Sequence, residues 1–132
     1  MKTNLDKFYK TDKKIETEGI WFLISENVGF LIKRFGGYNA PDVKAALAKH
    51  YKPYAKQVDN GTISPEKERE ILAKSFVDSV VLDWKGVEID EKIVPFSKEV
   101  AIPFFLGLPD LMDALTTYAS NADNYREDLG NS

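Results

Sequence analysis

Residues 80–97, VVLDWKGVEIDEKIVPFS, join two strongly helical halves of the chain and decide how it is organised. Phe76, Val77, Val80 and Val81 read as the end of an amphipathic helix running into Leu82, Asp83 and Trp84. Lys85-Gly86 then supplies the cation and the left-handed residue that commonly close a helix. Residues 87–94 alternate apolar and acidic side chains as a short connector, and Pro95-Phe96-Ser97 stops it and offers Ser97 as the cap of a new helix. Trp84 and Phe96 therefore stand at the two ends of one connector. Both are read as structural anchors, because a large aromatic at such a place more often packs than binds.

Downstream, residues 97–102 start a helix that Pro103 is expected to shorten or kink, and Phe104-Phe105-Leu106 follow without polar relief. Pro109 opens a last helix whose apolar stripe, Leu111, Leu115, Tyr118, Ala122 and Tyr125, keeps the 3.6-residue period. Upstream, Ser64-Pro65-Glu66 caps a helix expected to reach about Trp84, on a stripe of Ile71 or Leu72, Phe76, Val80 and Trp84. Before it, Asn39 and Pro41 start a helix over about 40–56, which Pro53 should break near Tyr51 or Lys52. Lys44, Lys49, His50, Lys52 and Lys56 make this the most basic segment, either a solvated face or an encounter surface for an acidic partner.

Two short β-rich runs, residues 20–24 and 28–35, flank Ser25-Glu26-Asn27 and predict a hairpin. A hairpin alone is marginal in water, so it must lie on the helices. Both faces of its first strand are apolar, which means cover on both sides or a face and edges open to a neighbour, and predicts weak self-association. Residues 1–17 carry five lysines and few large apolar side chains and read as a flexible, solvated arm, with Leu5 and Phe8 as anchors if it orders on a partner. The predicted organisation is an arm over 1–17, one domain over 18–128 and a polar tail over 129–132. The predicted fold class is α+β, predominantly helical, with an N-terminal β-hairpin packed on about four α-helices.

With 132 residues, 43% of them hydrophobic, the chain can build one modest core and no second. A net charge of −3 argues against general attraction to nucleic acid or anionic membranes. No apolar run approaches the roughly 20 residues of a membrane helix, and the charged N-terminus lacks the apolar region of a signal peptide. The absence of cysteine removes disulfides and thiolate metal sites, and the expectation is an intracellular protein. Gly36-Gly37 lacks the lysine and spacing of a phosphate loop. His50 is the single histidine and is read as structural. Asp78 with Asp83, or Asp110 with Asp113, read as solvated charge rather than acid–base pairs. No enzyme chemistry, cofactor or metal is expected.

Several of these segments together resemble the tail assembly chaperones of long-tailed bacteriophages. They are Gly19-Ile20-Trp21, Arg34-Phe35-Gly36-Gly37, Leu-Asp-Trp-Lys-Gly-Val at 82–87, Val-Pro-Phe-Ser at 94–97, Leu-Pro-Asp-Leu at 108–111, and the run from Ala119 to Asn124-Tyr125-Arg126. The resemblance spans about the whole chain and rests on order and spacing. It implies a non-enzymatic protein of the infected host's cytoplasm that holds the tape-measure protein in solution, helps bring major tail-tube subunits to it, and is absent from the mature virion. Candidate contact residues are Trp21, Phe30, Phe104 and Phe105. A small phage-encoded regulatory or inhibitory binding protein, or a head-tail connector or tail-completion subunit of the particle, shares the same size and composition.

Overall fold

The computed structural model describes residues 1–126. The elements in chain order are α1 (Asp6–Tyr9), α2 (Lys13–Glu18), β1 (Ile20–Leu23), β2 (Gly29–Ile32), α3 (Ala40–Tyr51), α4 (Ala55–Asp59), α5 (Pro65–Ser79), β3 (Val81–Lys85), β4 (Glu88–Ile89), β5 (Lys92–Ile93), α6 (Lys98–Leu106) and α7 (Pro109–Ser120). Among the described residues, four helices have nine residues or more, and the architecture is α+β and predominantly helical. The expected end of the domain at 128 and the polar tail over 129–132 lie outside the described residues.

The main departure from the sequence reading is at residues 81–85. Instead of finishing a helix, they form β3, which adds to the hairpin as a third strand in the antiparallel order β1-β2-β3. Phe22, Phe30 and Trp84 share one row across the sheet, and Trp21, Leu31 and Asp83 the next. Leu82 is the extra residue of a bulge, where the register shifts between Leu31 and Ile32. The stripe of Phe76, Val80 and Trp84 is equally compatible with a helix, but a β-branched pair at Val80-Val81 beside an open strand favours extension. The helix end at Ser79 is fixed from outside: the buried Asn39 amide donates to the carbonyls of Ser79 and Arg34, both at 2.8 Å. Asn39 thus ties the chain preceding α3 to the end of α5, and its side chain makes no cap bond to α3. Gly86 ends β3 with φ of 70°, and a Cβ there would run into the carbonyl of Asn27.

The core lies between the sheet and the helices. Phe30 and Ile32 from β2, Val81 and Trp84 from β3, Phe76, Val77 and Val80 from α5 and its end, Phe105 from α6, and Leu115 and Ala119 from α7 are all buried in one cluster. Helix α5 packs against both α3 and α6. Ser64 and Ser97 cap α5 and α6 by accepting from the amides of Lys67 and Val100. Pro53 falls in a 3-10 turn over residues 52–54 that separates α3 from α4. Pro103 does not end α6, which continues through it to Leu106.

The expected boundary between arm and domain at 17/18 falls inside α2, so the last third of that arm belongs to the fold. Asp12 caps α2 by accepting from the amides of Lys14 and Ile15, and its own amide donates to the carbonyl of Tyr125 at 3.1 Å. Glu16, on α2, is completely buried, pairs with Arg34, and accepts from the amide of Tyr38 at 2.7 Å. The Tyr125 hydroxyl donates to the carbonyl of Ile32 at 3.3 Å, so N-terminal and C-terminal segments close on the same end of β2.

Candidate partner-binding surface

The four candidate contact residues do not form one surface. Phe30 and Phe105 are each 1% exposed, so neither is available to a partner in the folded chain, and the contact role expected of them is corrected. Their rings belong to an aromatic stack with Phe76, Trp84 and Phe104, at centroid spacings of 5.0 to 6.4 Å. Phe104 is half-buried against Trp84 and Phe30. Within α6 the helical turn buries Ala101 and Phe105 and leaves Pro103 and Leu106 exposed, which the unrelieved run 104–106 alone does not reveal.

Trp21 alone lies on the opposite, solvent-facing side of the sheet, 38% exposed. The alternation of β1 sets this, since its burial is half-buried, exposed, half-buried, exposed. Leu23 shares that face at 52%, while Ile24, just past the strand and of the opposite parity, is also half open. Leu31 is half-buried in the row beside Trp21, and the bulge residue Leu82 is exposed at the sheet's margin beside Gly19. The Lys85 ammonium stands over the Trp21 ring, 4.8 Å from its centroid. The result is an apolar band several residues across with a charged rim of Lys85 and Asp83. Strand alternation would have assigned Leu23 to it, but Leu82 depended on a bulge that no local pattern announces.

Trp84 and Phe96 lie on the core side. Trp84 is 5% exposed, its indole N–H donates to the carbonyl of Val94 at 2.8 Å, and its ring meets Phe96 edge to face. Two further apolar clusters face solvent: Leu5, Phe8 and Tyr9 around α1, and Leu106 with Leu108 at the turn between α6 and α7.

The basic segment does not present all its cations freely. His50 bonds to Asp78, which also pairs with Lys98 at 3.2 Å, linking α3, α5 and α6. Asp78 is therefore a bridge rather than a solvated charge. Burial pushes its carboxyl up, but hydrogen bonds from His50 and Lys98 outweigh that and hold it below the ordinary aspartate value. An open cleft of about 230 Å³ is lined by Ala48, Tyr51, Lys52, Ala55, Val58 and Asp59 between α3 and α4. Among the described residues, no three His, Cys, Asp or Glu side chains come together as a metal site. Among the same residues, no single helix is long and apolar enough to cross a membrane.

The family model of the YdaY prophage protein matches residues 38–130, about seven-tenths of the chain. The chain belongs to the YdaY prophage protein family. No curated protein and no solved structure matches it. The matched region begins just before α3 and takes in β3, so the pairing of β2 with β3 crosses its boundary. A YdaY-family chain is a prophage protein, and that places the apolar band of this one among the products of phage genes.

Proposed function

We propose that the protein is a tail assembly chaperone of its prophage, which binds the tape-measure protein and keeps it soluble until tail-tube subunits are recruited. Membership of a prophage family supports the phage setting, and the ordered motifs from Trp21 to Arg126 support the chaperone class. The observation that carries the reading is the band of Trp21, Leu23, Leu31 and Leu82. A folded domain that keeps such a face open can lay it along the apolar stripe of a long helix. Each helix segment so covered is removed from self-aggregation, and coverage shifts the unassembled chain toward soluble states by mass action.

The test is mass spectrometry of induced cells and of purified particles. The reading expects this chain in lysate fractions together with the tape-measure protein, and absent from particles. Stoichiometric presence in particles would favour a connector or tail-completion subunit, and recovery with a host enzyme instead would favour a regulatory binding protein.

A further inference from the structure

We infer that the outer edge of β1 is a self-pairing edge, on which a second copy of this chain adds its own β1 in antiparallel register. β1 pairs only with β2 among the described strands, so its other edge carries no strand. The direction of each backbone group follows from the register. Ile24 donates to the carbonyl of Val28 at 2.9 Å, and Phe22 and Ile20 pair with Phe30 and Ile32 on the same parity. The even-numbered residues therefore bond toward β2, and the N–H and C=O groups of Trp21 and Leu23 point outward.

Two such strands related by a two-fold axis at Phe22 satisfy all of these groups at once. Trp21 of one copy and Leu23 of the other exchange both hydrogen bonds, and the symmetric pair repeats it, giving four backbone bonds. The side chains agree with the same register, because each Trp21 then lies directly opposite the other copy's Leu23 on the solvent face. Sheet edges that remain single are normally guarded by a charge, a proline or a bulge, and residues 20–24, IWFLI, contain no charged residue and no proline. The bulge of this sheet lies at the other edge, between β2 and β3.

The extent of the contact sets its strength. One four-residue strand on each side covers well short of the about 800 Å² per partner of a standard stable interface. The dimer is accordingly weak and reversible, and dissociates on dilution below roughly 0.1 mM. Its solvent face joins two copies of the Trp21 and Leu23 side chains into one continuous six-stranded surface.

The experiment is sedimentation equilibrium of the purified chain without any partner, so its outcome does not depend on the tape-measure reading. The wild-type protein is expected to shift from monomer to dimer between roughly 0.01 and 1 mM. A chain with Trp21→Lys and Leu23→Lys, and another with Trp21→Glu and Leu23→Glu, each place like charges opposite one another and are expected to stay monomeric. Mixed in equal amounts they place Lys opposite Glu at all four positions, and a heterodimer is expected that weakens as salt is added. Circular dichroism on each variant establishes that it is folded. A wild-type monomer throughout the range, a dimer in either like-charged variant, or no heterodimer in the mixture overturns the proposal.

Discussion

Trp84 and Phe96 meet edge to face with ring centroids 5.3 Å apart, closing the loop that begins on β3 and ends at the cap of α6. The Trp84 indole also donates to the carbonyl of Val94, two residues before Phe96. One side chain thus supplies core packing, sheet structure and the anchor of the β4–β5 excursion. Trp84→Ala is expected to cost about 3 to 5 kcal/mol. Trp84→Phe keeps most of the packing but orphans the Val94 carbonyl, and should cost about 1 to 3 kcal/mol. Urea denaturation of the two variants checks both the size and the order.

The buried pair of Glu16 and Arg34 makes the fold acid-sensitive at one identifiable place. Burial pushes the Glu16 carboxyl up, but Thr11, the Tyr38 amide and Arg34 together hold it below its ordinary value. A folded-state value below the unfolded one means stability that is fully present above the unfolded glutamate pKa of about 4.3 and is lost as the pH falls through the lower folded value. Glu16→Gln should cost about 2 to 4 kcal/mol near neutral pH, because it leaves Arg34 without its counter-charge. The gap between variant and wild type should narrow as the pH is lowered toward about 3. Denaturation midpoints across that range measure it, and a gap independent of pH would contradict the account.

Asn39 offers a test of how α5 is terminated. Its amide donates to two backbone carbonyls, Arg34 and Ser79, which uses both of its N–H groups. Asn39→Ala should cost about 2 to 3 kcal/mol by orphaning both carbonyls. Asn39→Asp should cost more than alanine, since a carboxylate would face two carbonyl oxygens. If aspartate proves the milder change, the amide is not the donor.

Much of this architecture was legible because local and tertiary preferences coincide. The hairpin around Ser25-Glu26-Asn27, the break at Pro53 and the serine caps at 64 and 97 each depend on residues within a few positions. β3 was not legible because its spacing fits a helix, and what selects a strand is β2, some fifty residues earlier. The buried role of Glu16 is not legible locally, since its partners Arg34 and Tyr38 are distant in sequence. The Asp12 cap just before it was the local signal that α2 begins there. At the surface, the outward placing of Trp21 follows from the alternation of β1, which turns Phe22 to the core side. Phe30 and Phe105 were misplaced because burial depends on which face an entire layer presents, not on side-chain size.

The central claim, that this chain shields the tape-measure protein through an apolar face, is tested most directly by co-expressing the two. Apolar burial returns roughly 25 cal/mol per Å², whereas an exposed ion pair returns less than about 1 kcal/mol, so the complex should form through Trp21 and its neighbours and survive raised salt. The account predicts that tape-measure protein insoluble by itself becomes soluble with the wild-type chain, and that Trp21→Ser, shown folded by circular dichroism, loses most of that rescue. Tape-measure protein that stays insoluble beside the wild-type chain, or a complex that falls apart at moderate salt, would contradict it.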